Sequence, residues 1–502
     1  MANKAAKKRK SSNPTRMFGT DGVRAQAGIG PLTPDSIHSL GRALGKHLYR
    51  RSTPEKRPRV LLGMDPRPSA DMVGTAFASG LIAEKCDVHW PGMMSTPEVA
   101  YLTGHGPFDA GAMITASHNV STDNGVKIFG EDGRKLADAV EKRLEKQVLE
   151  GKANGPVKVR KGERFGWMHF GRDEHYEDFI VGTFQKSFRT LKKKRLTVIV
   201  DAAYGARSID LNLLTKMSRS IYFGQTVPKL RVGSALSTTG KYADNALDIY
   251  FLNASNPSQS ETHHQINDGC GSTHPEGCAA AVKELGADLG ICFDGDGDRC
   301  ILIDETGEVR DGDYMLTILA RDMNARGVLG GNTVVSTVMA NLGLEQALKA
   351  DGIKLVRTDV GDRHVFKGMD KHKSTLGGEQ SGHVIISDEG HLSGDGLYAA
   401  LRIIEIMLDS NKPLSELSEG ITKCPQVLIN VKVKKKPVLN TLKKTQAAIK
   451  AAKKTLGKDG RINVRYSGTE DLLRVMVEGF DEKLIKRTAN SVVSAAKKEI
   501  GK

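Results

Sequence analysis

Short apolar runs alternate with longer amphipathic stretches along most of this chain, as expected of buried strands joined by crossover helices. RVLLGMD, at Arg59–Asp65, predicts a strand, and DMVGTAFASGLIAEKC, at 71–86, predicts the helix after it. Ala110–Thr115 and Gly125–Phe129 predict further strands, and the charged stretch 134–150 predicts an amphipathic helix. A Gly- and Lys-rich linker follows at 151–166. The pattern restarts with RLTVIVDAA at 195–203, a helix from Pro275 to about Gly286, the strand ADLGICF at 287–293 and a hairpin over CILIDETGEV at 300–309. A third round has strands at 332–338 and 353–358, helices near 341–351 and 361–371, a loop at 377–383, and a helix from Gly394 to about Asp409.

The last part reads differently. PQVLINVKV, a Lys/Ala-rich helix at 440–456, the pair GRINVRYS and LLRVMVEG, and a terminal helix predict a small α+β domain. The expected organisation is therefore a basic tail at 1–16, α/β units at 17–165, 166–310 and 311–420, and a C-terminal cap at 421–502. The stretch 205–265 has too little periodicity to predict elements.

Composition narrows the class. A chain of 502 residues is long enough for three or four domains, and 39% apolar with 26% charged residues is ordinary for a chain with large cores. The six cysteines show no C-x-x-C spacing, which suits reduced thiols in a cytoplasmic protein. No apolar stretch approaches bilayer length and no signal-peptide core follows Met1, so no membrane association is expected. The net charge of +15 is concentrated in part at residues 1–16, which hold six Lys/Arg and no acid, and in runs at Lys192–Arg195 and Lys434–Lys436. With no aromatic interleaved for base stacking, the tail reads as a solvated arm, and nucleic-acid binding is not expected of it. The surplus also suits an enzyme that attracts anionic substrates.

Candidate chemistry concentrates in four loops. FDGDGDRCILIDE, at 293–305, sets Asp294, Asp296 and Asp298 among glycines between two apolar runs. Carboxylates so close repel one another unless a hard cation sits among them. The spacing of these aspartates and Glu305 mimics an EF-hand, but Arg299 stands where the sharp turn needs glycine, and strands flank the loop. Three protein oxygens leave an octahedral Mg²⁺ with open positions for phosphate. MITASHNVSTDNGVKIF, at 113–129, places Ser117 where the chain leaves a buried strand, beside His118 and Asn119 and ten residues before Lys127. Ser117 is thus a hydroxyl placed to carry phosphate. RYSGTEDLLR, at 465–474, offers Arg465 and Arg474 as bidentate phosphate ligands, with Ser467, Gly468 and Thr469 between them. GGEQSGH, at 377–383, has the acid, amide, hydroxyl and imidazole that suit sugar hydroxyls, and FGTDGVR ends on a further cation, Arg24.

TASHN with DNGVKIF, DGDGDR, GGEQSGH and RYSGTE stand in the order and approximate spacing of the α-D-phosphohexomutases, and the chain resembles that family over nearly its whole length. MFGTDGVR, TVMANLGLE (337–345), VGDRHV (360–365) and SGDG (393–396) bring the resemblance nearest the bacterial members that act on an amino sugar. It implies four domains around a central cleft, three mixed α/β units and a C-terminal α+β domain like the TATA-binding protein. It also implies interconversion of glucosamine 6-phosphate and glucosamine 1-phosphate, through a phosphoserine and a glucosamine 1,6-bisphosphate, on the route to UDP-N-acetylglucosamine. On this resemblance Ser117 is the phosphoserine and, with Asp294, Asp296 and Asp298, a ligand of one Mg²⁺ per subunit. Glu379 and Ser381 would contact the sugar. Arg465, Ser467, Gly468, Thr469 and Arg474 would hold the non-reacting phosphate. Arg24 and Lys127 would stabilise the transferring group, His118 would orient the phosphoserine, and His383 would exchange a proton with the sugar hydroxyl. A kinase or self-phosphorylation would prime Ser117, and a homodimer is compatible with the family.

Two departures stand out: Val120 replaces the usual proline after His118-Asn119, and Asp471 replaces the proline of SGTEP. The stretch from Ala206 to Ile266 is also longer than usual and lacks P-D-G-x-N. Three rivals stay open at this stage: a glucose- or mannose-phosphate mutase, a metal-dependent phosphatase, and a non-catalytic RNA- or surface-binding protein.

Overall fold

The computed structural model describes residues 16–19, 21–51, 56–157, 164–171, 173–190, 195–209, 213, 218–224, 232–237, 247–254, 265–388, 391, 393–467 and 471–501. Of the sequence expectations, the tail (apart from Arg16), Gly468 and Thr469 lie outside the described residues, as does much of 205–265. Contacts divide the chain into two compact units, Met1–Asp173 and Glu174–Lys502.

The first unit is built on a six-stranded sheet. Its spatial order is Val23–Gln26, Asp123–Gly130, Ala110–Ile114, Arg59–Met64, Asp87–Met93 and Met168–His169. The last four run parallel, and the first two add antiparallel to the edge. All five residues of Ala110–Ile114 are buried, which is why that segment reads as a continuous apolar run rather than an alternation. Helices Pro34–Tyr49 and Ala70–Ala83 share a core with Val60, Leu62, Ala112 and Ile114 on one face. The two helices cross closely at paired glycines: a Cβ on Gly41 would fall 2.2 Å from the Phe77 carbonyl, and one on Gly80 2.2 Å from that of His38. Helix Thr96–His105 starts with a full capping box, Ser95 with Glu98, and sets Val99 against Gly63 and Gly111 on the opposite face.

The second unit holds three sheets. The seven-stranded one runs Val309–Arg310, Cys300–Asp304, Leu289–Phe293, Leu196–Asp201, Leu247–Leu252, Ser218–Gly224 and Val232–Ser237, parallel at its centre and antiparallel toward both edges. Three of these strands fall in the stretch for which the sequence predicted nothing. A four-stranded sheet orders Lys354–Thr358, Thr333–Thr337, Leu376–Gly378 and Val384–Ile386. The C-terminal part is antiparallel: Leu472–Gly479 lies between Gln426–Lys432 and Gly460–Tyr466. Helices Lys443–Leu456 and Glu482–Ile500 close a core with Val431, Val475, Val477 and Val492. The mixed α/β architecture with a small α+β end is thus the one expected. All six cysteines are free and buried.

Candidate active site

In the first unit, ladder register brings the predicted residues together. Lys127 pairs with Met113 on the strand that leads to Ser117, and Arg24 lies opposite Gly125 on the neighbouring strand. Lys127 Nζ and Arg24 Nη2 converge on the Asp21 carboxylate at 3.6 and 2.7 Å, and Lys135 binds its other oxygen. Burial pushes the Asp21 carboxyl upward, but Lys127, Lys135 and Arg24 outweigh it and hold the group well below the usual carboxylate range. Asp21 therefore stays ionised and gathers three cations.

Ser117 itself is fully buried and sits at φ 54°, a left-handed conformation that L-residues adopt only where the surroundings impose it. Its hydroxyl lies 3.4 Å from His118 Nδ1, and its N–H donates to Thr115 Oγ1 at 2.7 Å. Thr115 Oγ1 in turn donates to Asp65 Oδ2 at 2.6 Å, and Asp65 is ion-paired with Arg67 at 3.0 Å. What imposes the turn is the Arg67 guanidinium. It donates to the carbonyls of Ser117 (2.7 Å), Asn119 (2.9 Å), Val120 (2.5 Å) and Asp123 (2.9 Å). Where relatives are expected to use proline after Asn119, this loop is fixed by a planar five-donor fork. Sequence reasoning missed Arg67. The available signal was DPRPS directly after a buried parallel strand, where binding groups of α/β sheets collect.

In the second unit, Phe293 and Cys300 close an antiparallel pair, and the loop between them presents Asp294, Asp296 and Asp298. These aspartates are 0%, 0% and 3% exposed, and one oxygen of each lies within 4.8 Å of the other two. Arg299 Nε stands 3.6 Å from Asp298 and 4.0 Å from Asp294. Buried carboxylates at that spacing fit a hard divalent cation. Glu305, the twelfth position of the rejected EF-hand, instead accepts hydrogen bonds from Ser415.

The loop at 377–383 adjoins this one, since the Gly382 carbonyl accepts from Cys300 N at 3.2 Å. Glu379 Oε1 accepts from Gly361 N at 3.2 Å, Gln380 Nε2 donates to Asp311 Oδ2 at 3.2 Å, and Ser381 is exposed. His383 is 5% exposed and packs on Gly394, where a Cβ would fall 2.2 Å from its Nε2. In the C-terminal sheet Arg465 and Arg474 stand directly opposite each other across the ladder. Burial and then the repulsion of Arg474 lower the Arg465 pKa, while Asp359 and Glu379 act in the other direction. Like charges paired in this way are stabilised by an anion between them. Arg474 Nη2 lies 3.5 Å from Ser467 Oγ. Lys436, from one of the basic runs, donates to the Ser467 carbonyl at 3.1 Å and lies 3.9 Å from Asp471. It partly neutralises the acid that replaces the expected proline.

Three family descriptions match the chain: phosphoglucomutase/phosphomannomutase α/β/α domain I over residues 15–155, α/β/α domain III over 311–424, and the C-terminal domain over 428–495. The chain belongs to the phosphoglucomutase/phosphomannomutase family. Among curated relatives of this phosphohexomutase are the phosphoglucosamine mutases of Koribacter versatilis, 38% identical with 97% of both chains covered, and Bacillus licheniformis, 40% identical over 97% of this chain and 99% of that one. Solved structures with the same fold include a phosphoglucomutase/phosphomannomutase family protein from Burkholderia thailandensis (TM-score 0.71, 20% identity, 96% and 97% covered). Another is the N-acetylphosphoglucosamine mutase of Aspergillus fumigatus in complex with GlcNAc-6P and magnesium (TM-score 0.60, 18% identity, 96% and 97% covered). As a phosphohexomutase the chain is an isomerase, an intramolecular phosphotransferase.

Proposed function

We propose that this phosphohexomutase is a phosphoglucosamine mutase, interconverting glucosamine 6-phosphate and glucosamine 1-phosphate through phosphorylated Ser117 and a glucosamine 1,6-bisphosphate. The observation that carries the reading is the clamped serine: a buried hydroxyl beside an imidazole, on a turn that four hydrogen bonds from Arg67 hold in a strained conformation. Curated relatives of that name, similar over 97% of this chain, support the choice of sugar.

Phosphoryl transfer asks the protein mainly for positioning and charge neutralisation. The bond between Ser117 Oγ and phosphorus breaks as a bond forms from phosphorus to the free sugar oxygen. The sugar hydroxyl loses its proton to a basic side chain, for which His383 is the candidate, and Ser117 Oγ regains one as it leaves. After the bisphosphate turns over, its other phosphoryl group returns to Ser117 by the reverse steps. Arg24 and Lys127 stabilise the transferring oxygens, and His118 orients the serine. Arg465, Arg474, Ser467 and the amides of 467–469 anchor the remote phosphate, while Glu379 and Ser381 hold sugar hydroxyls. Asp294, Asp296 and Asp298 would hold Mg²⁺, which would supply further neutralisation of the donor phosphate. Six buried, reduced thiols suit the cytoplasm, and a kinase or self-phosphorylation by the bisphosphate primes Ser117.

Ser117→Ala is expected to abolish turnover of glucosamine 6-phosphate while leaving the thermal melt unchanged and Mn²⁺ binding nearly intact, because the three aspartates remain. More than trace activity in that variant removes the covalent scheme. Comparing kcat/KM for glucosamine, glucose and mannose 6-phosphates ranks the sugars, and a preference for glucose or mannose assigns the chain to the sister activity instead.

A further inference from the structure

The metal loop is gripped from behind by groups that are not among its three carboxylates. The Gly295 carbonyl accepts from Ala206 N at 2.8 Å. The Gly297 carbonyl, between Asp296 and Asp298, accepts from Arg207 Nη2 at 3.2 Å and from Gly396 N at 3.3 Å. Arg207 packs so closely that a Cβ on Gly297, whose φ is 71°, would fall 2.5 Å from its Nε. The same Nη2 makes a 2.6 Å ion pair with Asp395 Oδ1, both side chains being 1% exposed. Asp395 is itself fixed on every side. It accepts from Tyr176 Oη at 2.6 Å and from the amides of Leu397 and Tyr398 at 3.0 and 3.1 Å, where it caps helix Gly396–Ser410. His391 Nε2 stands 3.3 Å away.

Three segments far apart in sequence thus meet behind the loop: the turn at 204–207, the start of helix His175–Thr190, and the SGDG string at 393–396. A buried ion pair contributes little net stability, because desolvation offsets its attraction. Its geometric effect is larger. A guanidinium locked by a carboxylate and bonded to the central carbonyl of a glycine loop determines where the flanking aspartates project, before any cation arrives.

We propose that Arg207 and Asp395 are positioning residues for the metal loop, presetting the aspartate triad so that its divalent-cation affinity depends on an ion pair outside the ligand set. The inference rests on the triad being the metal site.

Mn²⁺ binding to the full-length chain, measured by calorimetry and electron paramagnetic resonance, tests it. Asp395→Asn keeps an acceptor for the helix cap and removes the charge. Arg207→Lys keeps the charge and removes the fork. Both are expected to weaken Mn²⁺ binding about tenfold to a hundredfold, with activity restored by excess Mg²⁺ and the sugar-phosphate KM unchanged there. Tyr176→Phe deletes one oxygen from the same cluster and keeps the test open should the charge variants fail to fold; about threefold weakening is expected. Parental Mn²⁺ affinity in every folded variant overturns the proposal. Asp296→Asn separates this from the underlying reading: undiminished Mn²⁺ binding in that variant overturns the metal site itself.

Discussion

Arg67 shows how much one buried side chain can determine. Five of its contacts are fixed, four to carbonyls between Ser117 and Asp123 and one to Asp65, and none involves the serine hydroxyl. Lysine at this position preserves charge but offers one rotatable ammonium in place of a planar fork. Arg67→Lys is therefore expected to lower kcat on the order of a hundredfold with KM little changed, because a nucleophile displaced by about 1 Å loses its alignment while remote phosphate contacts persist. Steady-state kinetics with glucosamine 6-phosphate check this, and a parental kcat would show that Val120 and its neighbours hold the turn unaided. The same reasoning explains why the reacting motifs were legible in sequence whereas their supports were not. Ser117, the aspartate triad and the paired arginines announce themselves by residue type at short spacing. Arg67, Arg207 and Lys436 act through backbone carbonyls 31 to 90 residues away, and Arg207 also through a carboxylate 188 residues away, so residue types at short spacing do not reveal such partners.

At the scale of elements, periodicity served where a segment was long or fully buried. Leu472–Gly479 matches its apolar run residue for residue, and Ala110–Ile114 differs from the expectation by one. Leu247–Leu252, inside its sheet, escaped because the polar string around it offers no alternation of apolar and polar positions. Val23–Gln26 is only four residues long and earns its place by pairing alone. The junction of helices Gly312–Ala325 and Leu342–Ala350 carries a prediction of its own. Asp313 is fully buried and accepts from Asn341 N at 3.0 Å, next to the cap of the second helix. Burial raises its carboxyl to about 7. The folded chain thus keeps this proton between the ordinary carboxylate range and about 7, whereas the unfolded chain has released it. Stability from this group falls as pH rises through that window and levels off above it. Asp313→Asn keeps the acceptor and removes the titration. Its melting temperature is expected to exceed the parent's at pH 8 and to match it more closely near pH 4.5. Parallel melting profiles for the two proteins across that range would refute the assignment.

For the whole molecule, the charge of +15 bears on encounter rather than on folding. Substrates with one phosphate and the bisphosphate are drawn by the same field, so kcat/KM is expected to fall as ionic strength rises while kcat stays nearly constant; equal loss in both would point to salt acting on the site instead. Among the described residues no helix is long and apolar enough to cross a membrane. The burial of every cysteine has a practical consequence. Cys86 lies in the core of the first unit, Cys292 lies on a strand of the seven-stranded sheet and shares a core with Cys278 of the helix beside it, and Cys424 precedes the C-terminal strands. Burial lifts the Cys86, Cys292 and Cys424 thiols above their ordinary range, so an alkylating reagent finds no reactive thiolate until the surrounding core opens. The unmodified chain therefore carries its own set of clocks, one per region, whose labelling rates time the breathing of each part without any engineered probe.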